Sequence, residues 1–287
     1  MAQWTMGDVR ITTIDETVVV FRGDHFFPKS TREEMAAVPW LGEPYITKEG
    51  RVRLVIRAFL IETPQTKIIV DTCFGNDKPR HWADASMLQT DFLGKLEAAG
   101  CPRESIDAVL CTHLHIDHVG WNTMWDGERW VPTFPNARYM FARTEFEHWQ
   151  AHSEGEELTV FEDSVKPVFD AGLVDLVTTD HRVDPWISLT PSHGHTPGHV
   201  CVLVDAGGVR SIITGDSFHS PMQIARPDWG SVPDWDTAMG EKTRLRILGD
   251  LAGTDNRMFG THFPEPAAGH IVREGDGYRF APLDGAA

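Results

Sequence analysis

No apolar run in this sequence is long enough to cross a bilayer. The longest, such as Val18-Val19-Val20-Phe21, are strand-sized, against about 20 residues for a spanning helix. There is no CxxC pair. Cys73, Cys101, Cys111 and Cys201 sit far apart, three of them in or beside apolar strand-like runs, so they read as reduced structural thiols rather than a disulfide framework. Bases are scarce: 26 Lys and Arg face 42 Asp and Glu, a net charge of −16. Without clustered cations a nucleic-acid surface is excluded, and strongly anionic substrates are disfavoured except where a bound metal reverses the local field. The first residues, Met1-Ala2-Gln3-Trp4-Thr5-Met6, lack the basic and apolar zones of a secretion signal, so the expected location is cytoplasmic. Repeats, low-complexity tracts and linkers are also missing, which leaves one domain over residues 1–287 as the expectation.

What is present is an ordinary globular composition, 41% hydrophobic and 24% charged over 287 residues. Apolar runs predict strands over 9–14, 17–21, 52–62 and 67–71, the last two around a Thr63-Pro64-Gln65-Thr66 turn. Helical spacing predicts a helix over 87–99 stopped by Gly100, then helices over 143–151, 156–169 and 235–251, the last begun by an Asp234 cap. Further strands are predicted at 108–111, 138–141, 173–178, 186–191, 199–204 and 210–214, with short ones near 258, 270–273 and 278–280. Two strand-rich halves, each with helices, imply two sheets packed face to face with helices outside. The aromatic-rich stretch 22–50, punctuated by Pro28, Pro39 and Pro44, should lack long regular structure and either wall a pocket or bury itself on a partner, a possible homodimer contact.

The chemistry concentrates in Thr112-His113-Leu114-His115-Ile116-Asp117-His118, three imidazoles and a carboxylate directly after a buried strand. In extended backbone His113, His115 and Asp117 would share a face, and a turn would swing His118 toward a second position. Nitrogen and oxygen donors of this kind suit zinc, manganese or iron. Three later segments place further donors at strand ends: Ser192-His193-Gly194-His195 through His199, Gly215-Asp216-Ser217-Phe218-His219, and Gly260-Thr261-His262.

These motifs resemble the metallo-β-lactamase superfamily, from about Val52 onward. The resemblance implies an α+β fold, a four-layer αβ/βα sandwich, with His113, His115 and His195 around one divalent ion. Asp117, His118 and His262 would hold a second, with Asp216 bridging. Zinc is the expected metal, with manganese, cobalt or iron as alternatives. Asp71, in Val70-Asp71-Thr72-Cys73, resembles the family's Asp-Thr-Gly turn and would support the metal loop by hydrogen bonds, although Cys73 replaces glycine. His193 stands where the motif often has proline and is a pocket candidate, while His199 would orient its neighbours.

Such a centre implies hydrolysis of a small, uncharged, partly apolar lactone or ester by a hydroxide shared between the ions, with Asp117 and Asp216 relaying a proton. His219 stands where acyl-homoserine lactonases carry tyrosine, and a donor there would bond the substrate oxygen. Together with His262-Phe263-Pro264-Glu265-Pro266 and His270, it also resembles the methyl parathion hydrolase branch, which makes phosphotriester hydrolysis the alternative. An iron-dependent sulfur dioxygenase is a third reading, one that would need Asp117 and His118 less. Trp121, Trp125, Phe26, Phe27 and Trp40 are candidates to line an apolar groove.

Overall fold

A computed structural model describes residues 1–285. In chain order its strands are β1 (Gln3–Met6), β2 (Val9–Arg22), β3 (Arg51–Glu62), β4 (Lys67–Val70), β5 (Ala108–Leu110), β6 (Thr123–Trp125), β7 (Trp130–Pro132), β8 (Arg138–Ala142) and β9 (Val174–Val177), followed by β10 (Ile187–Pro191), β11 (Val200–Ala206), β12 (Val209–Ile213), β13 (Arg257–Phe259), β14 (Ala268–Glu274) and β15 (Gly277–Leu283). The helices are α1 (Gly23–Phe26), α2 (Arg32–Ala36), α3 (Phe92–Ala98), α4 (Arg143–His152), α5 (Gly155–Val160), α6 (Lys166–Asp170), α7 (Met222–Ala225) and α8 (Thr237–Leu251). A seven-stranded sheet runs β1-β2-β3-β4-β5-β8-β9, a six-stranded sheet runs β10 to β15 in order, and β6 and β7 form a separate hairpin. The chain divides into two compact units, one holding Gln3–Thr17 and Ile56–Thr179, the other Val18–Val55 and the chain from Asp180 on. Among the described residues no helix is long and apolar enough to cross a membrane.

In the first unit β4, β5, β8 and β9 run parallel. Ile68, Ile69, Val70, Val109 and Leu110 are fully buried, as parallel strands covered on both faces require. Because β4 and β5 are parallel, with Val70 opposite Leu110, the turn at Asp71 and the histidine loop leave the sheet side by side. The second unit repeats the device. Parallel β12 and β13 pair Ile213 with Phe259, so the segments that begin at Thr214 and Gly260 emerge together. Antiparallel β10 and β11 pair Pro191 with Val200, and the loop between them opens at the same sheet edge.

Where the elements differ from the sequence expectation, tertiary partners explain it. Residues 9–14 and 17–21 form one strand, β2, because Asp15 is met by the buried Arg57 at 2.9 Å and Glu16 by donors from three loops. Helix α3 starts at Phe92, not near 87. Met87 has φ 52°, and residues 87–90 are bonded to Asn76 and Lys78 instead. The cap of α8 is Asp236, which accepts from Met239 N, while Asp234 serves elsewhere. The hairpin of β6 and β7 is an addition to the expected strands. Cys73, Cys101, Cys111 and Cys201 are buried and are not in disulfides, as expected. In the segment 22–50 Phe26, Phe27 and Tyr45 are buried, Phe26 edge to face with Phe27 at 5.0 Å and Tyr45 against Phe280 at 6.3 Å.

The expected helix over 156–169 is α5 and α6 joined by a π-turn, Phe161–Val165. Its cause is Pro167, which offers no N–H to the carbonyl of Asp163 four residues earlier. That carbonyl accepts instead from Thr123 Oγ1 at 2.5 Å and Lys78 Nζ at 3.4 Å. Arg80 grips the Asp163 carboxylate with two bonds, 2.6 and 2.9 Å, and Lys78 lies 3.6 Å from the centre of the Trp130 ring. Burial pushes the Lys78 ammonium down to about 7, further than Asp163 can offset with Arg80 also present. An unfolded lysine titrates near 10.4, so between about pH 7 and 10 the unfolded chain binds the extra proton and stability rises with pH. Below about pH 7 the whole penalty of the buried charge is present. Denaturant unfolding from pH 7 to 10 should therefore show Lys78→Met gaining on the wild type as pH falls, by up to about 4 kcal/mol. Parallel stability curves would contradict this.

Candidate functional site

In the first unit the chain bends sharply after β5. Asp71, at φ 59°, accepts from Thr112 N at 2.8 Å and Thr112 Oγ1 at 3.0 Å, and its other face meets His118 Nδ1 at 2.9 Å. Thr72 N bonds His118 O, Gly120 N bonds Cys73 O and Trp121 N bonds Thr72 O, so the two loops are zipped backbone to backbone. Gly120 is obligatory, since a Cβ there would lie 1.9 Å from the Phe74 carbonyl. Cys73 keeps a left-handed backbone, φ 53°, in the place of the family glycine. The loop is a turn rather than the extended segment expected, yet it still brings its donors together. His113 Nε2 lies 3.1 Å from His115 Nδ1, the His113 and His118 rings are 4.0 Å apart, and Asp117 Oδ1 is 3.6 Å from His118 Nε2. Two supports went unread in the sequence. Glu145 of α4 accepts from Leu114 N and Trp149 Nε1, and the Trp149 ring meets His115 at 5.3 Å.

The second unit gathers three imidazoles on one carboxylate. Asp216 faces His262 Nε2 at 2.9 Å, His219 Nε2 at 3.1 Å and His195 Nε2 at 3.3 Å. The far nitrogens of two of these rings are anchored: His195 Nδ1 on Asp234 at 2.9 Å, and His262 Nδ1 on the Val55 carbonyl at 2.9 Å. His199 accepts from Asp216 N at 2.9 Å through Nε2, which leaves its Nδ1–H to donate to Ser192 Oγ at 2.7 Å. It therefore orients Asp216, as expected. Gly194, at φ 133°, sits where a Cβ would come within 2.3 Å of Gly240 N, so the His195 loop can clasp the start of α8. His193 lends its carbonyl to Thr243, and His270 bonds the Asn256 carbonyl.

His219 is buried against Phe26 at 5.1 Å and Phe27 at 6.5 Å, and stacks parallel to His262 at 5.7 Å. Burial lowers its pKa, with the Asp216 charge pulling the other way, so a neutral ring is favoured. Its Nε2 lies 3.1 Å from Asp216 Oδ2. Burial alone would raise the Asp234 carboxyl, but the bond from His195 and the Arg244 cation hold it well below the usual carboxylate range. Ser231 N and Oγ complete its shell at 3.0 and 2.7 Å. Nothing in the local sequence marks Asp234 for this role, because the contact depends on where the 219–234 segment closes. Of the aromatic groove candidates, Phe26 and Phe27 reach His219. Trp121 is core, stacked on Phe92 at 5.4 Å, and Trp125 packs on Trp130 at the surface.

Both donor sets fit divalent cations. Neutral imidazole nitrogens and carboxylate oxygens converge, and buried partners fix their tautomers, the arrangement that tunes histidine ligands. Asp234→Asn should therefore weaken zinc binding by about 10–100-fold without loss of secondary structure. Titration against a chromophoric chelator reads this out, and an unchanged affinity would show that Asp234 is not a ligand support.

Residues 51–257 match the family described as the metallo-beta-lactamase superfamily. An N-acyl homoserine lactonase of Bacillus cereus is 23% identical over 172 residues, 56% of this chain and 62% of that protein. One from a Bacillus species is 25% identical over 164 residues, 53% of this chain and 59% of the relative. The matched stretch thus spans about three fifths of these relatives. Among solved structures, the dizinc quorum-quenching lactonase AidC superposes with a TM-score of 0.83 at 20% identity, covering 99% of this chain and 98% of its own. The hydrolase AbOPH, in the β-lactamase superfamily, gives 0.82 at 24% identity, covering 100% and 98%. These likenesses establish the mixed αβ fold, and the family match over most of the sequence establishes that the chain belongs to the metallo-β-lactamase superfamily.

Proposed function

We propose that the two units act as one catalytic domain, their donor sets forming a single dinuclear centre that hydrolyses a lactone. His113, His115 and His195 would hold one ion, and Asp117, His118 and His262 the other, with Asp216 between them. The observation that carries this reading is Asp216 itself: a buried carboxylate, aimed by His199, on which three imidazole Nε2 atoms converge. Its two oxygens face different histidines, His262 on Oδ1 and His195 on Oδ2, as a bridging ligand needs. The aiming of His118 by Asp71 favours two ions over the single iron of a dioxygenase. Lactones come first among substrates because the curated relatives are acyl homoserine lactonases.

Bound divalent ions would lower the pKa of a water and polarise the substrate carbonyl. The chain's own residues do the rest. Phe26 and Phe27 keep water from the His219 ring. His219 supports Asp216 through Nε2 and remains the proposed donor to the substrate oxygen. Asp216 and Asp117 hold the proton that the leaving alkoxide of the opened ring must receive.

A kinetic panel of zinc-, manganese- and cobalt-loaded protein against N-hexanoyl homoserine lactone, a simple aryl ester and a phosphotriester tests this. The expected order puts the acyl lactone at least about tenfold ahead in kcat/KM, with Asp216→Asn losing about 10³-fold through kcat. Preference for the phosphotriester would move the substrate assignment to that class. No hydrolysis by metal-loaded protein would remove the proposal.

A further inference from the structure

We infer that Glu16 is a positioning residue for the first unit's metal ligands, clamping the strained turn that aims Asp71 at His118. This rests on the dinuclear reading above. Glu16 is remote in sequence from every proposed ligand and lies within β2, whose residues Val9 to Thr12 pair with β1. Its carboxylate is buried and takes four donors from three separate loops: Phe74 N at 2.8 Å, Gly75 N at 3.2 Å, Thr90 Oγ1 at 3.0 Å and Trp121 Nε1 at 2.7 Å. A carboxylate this enclosed belongs to the architecture or to the site, and the identity of its partners decides which.

Two of the donors are successive backbone N–H groups. The turn that presents them has Asp71, Cys73 and Gly75 all at left-handed φ, of 59°, 53° and 79°. Non-glycine residues rarely adopt that region, and alternating left-handed residues turn consecutive N–H groups inward into an anion cradle. Here Glu16 fills the cradle. The same turn begins with Asp71, whose oxygens hold Thr112 N, Thr112 Oγ1 and His118 Nδ1. A third donor, Trp121 Nε1, comes from the segment that leaves the histidine loop, where Trp121 N and Gly120 N are bonded to Thr72 O and Cys73 O. Glu16 thus grips both strands of the zipper between the Asp71 turn and the histidine loop. Without its charge the two inward N–H groups would lose their acceptor in a site closed to water. The turn would relax toward right-handed φ, and Asp71 would swing from His118.

Burial raises the Glu16 carboxyl above its ordinary value, and the four donors offset this only in part. Glu16→Gln keeps the size but removes the charge and sets its amide NH2 against one of the two backbone donors, Phe74 N at the Oε2 position or Gly75 N at the Oε1 position. The test measures zinc affinity and zinc release to a chromophoric chelator on the full-length protein, together with kcat and KM. The expected result is one of two zinc ions bound about 10–100-fold more weakly and released correspondingly faster, with kcat reduced and KM within about twofold. A purely structural role would lower the melting temperature yet leave affinity and release unchanged in the folded protein, which would overturn the inference. Should Glu16→Gln fail to fold, Trp121→Phe removes a single donor from the same carboxylate and should speed release several-fold. Unchanged release there counts equally against the inference. Wild-type protein that binds no zinc would sink the dinuclear reading and this one together, whereas two tightly held ions in wild type and variants alike would sink this one alone.

Discussion

A neutral imidazole has one nitrogen that donates and one that accepts, and much of this chain's architecture serves to fix which is which. His118 is held by Asp71, His195 by Asp234 and His262 by the backbone of Val55, each through Nδ1. In each case the remaining nitrogen, Nε2, is left facing other donors: Asp117 in the first unit, Asp216 in the second. An unanchored ring would pay rotational entropy on binding a cation and could present the wrong tautomer. Rings fixed in advance hold lone pairs where a cation can collect them.

The anchoring draws on the sheets. Strands in parallel register end together, so turns at Asp71 and at the histidine loop, or at Asp216 and His262, start next to each other without long connections. Apolar strands contribute the burial that offsets the cost of enclosing carboxylates, Ile68-Ile69-Val70 for Glu16 and Asp71 in the first unit, Ile212-Ile213 and Met258-Phe259 for Asp216 and Asp234 in the second. Glu16, Asp71 and Asp234 are each met by hydrogen-bond donors, which keeps their charges tolerable in a low-dielectric interior. Glycines appear where two backbones must touch, at Gly120 and Gly194.

The proposed ligands were legible in the sequence because each sits at a strand end in a short motif, His113 to His118, His195, Asp216 and His262, and local pattern survives folding. The turn at 63–66 and the stop at Gly100 were legible for the same reason. What the sequence hid was set by distant partners. Asp234 and Asp236 are equally good caps on paper, and only the approach of His195 decides that Asp236 caps α8. Residues 87–90 have helical spacing but pair with Asn76 and Lys78, and Asp15-Glu16 looks like a break between strands until Arg57 and the Phe74 turn supply partners. His219 was readable as a site residue, but its direction was not, since it depends on which side of the ring Asp216 occupies.

The central proposal is that two cations are held around Asp216. The most direct measurement is anomalous X-ray scattering at the zinc edge from crystals of the metal-loaded protein. Two peaks about 3.5–4 Å apart are expected, one within bonding distance of His113, His115 and His195, the other of Asp117, His118 and His262, with Asp216 touching both. A single peak, or zinc bound away from Asp216, would contradict the account.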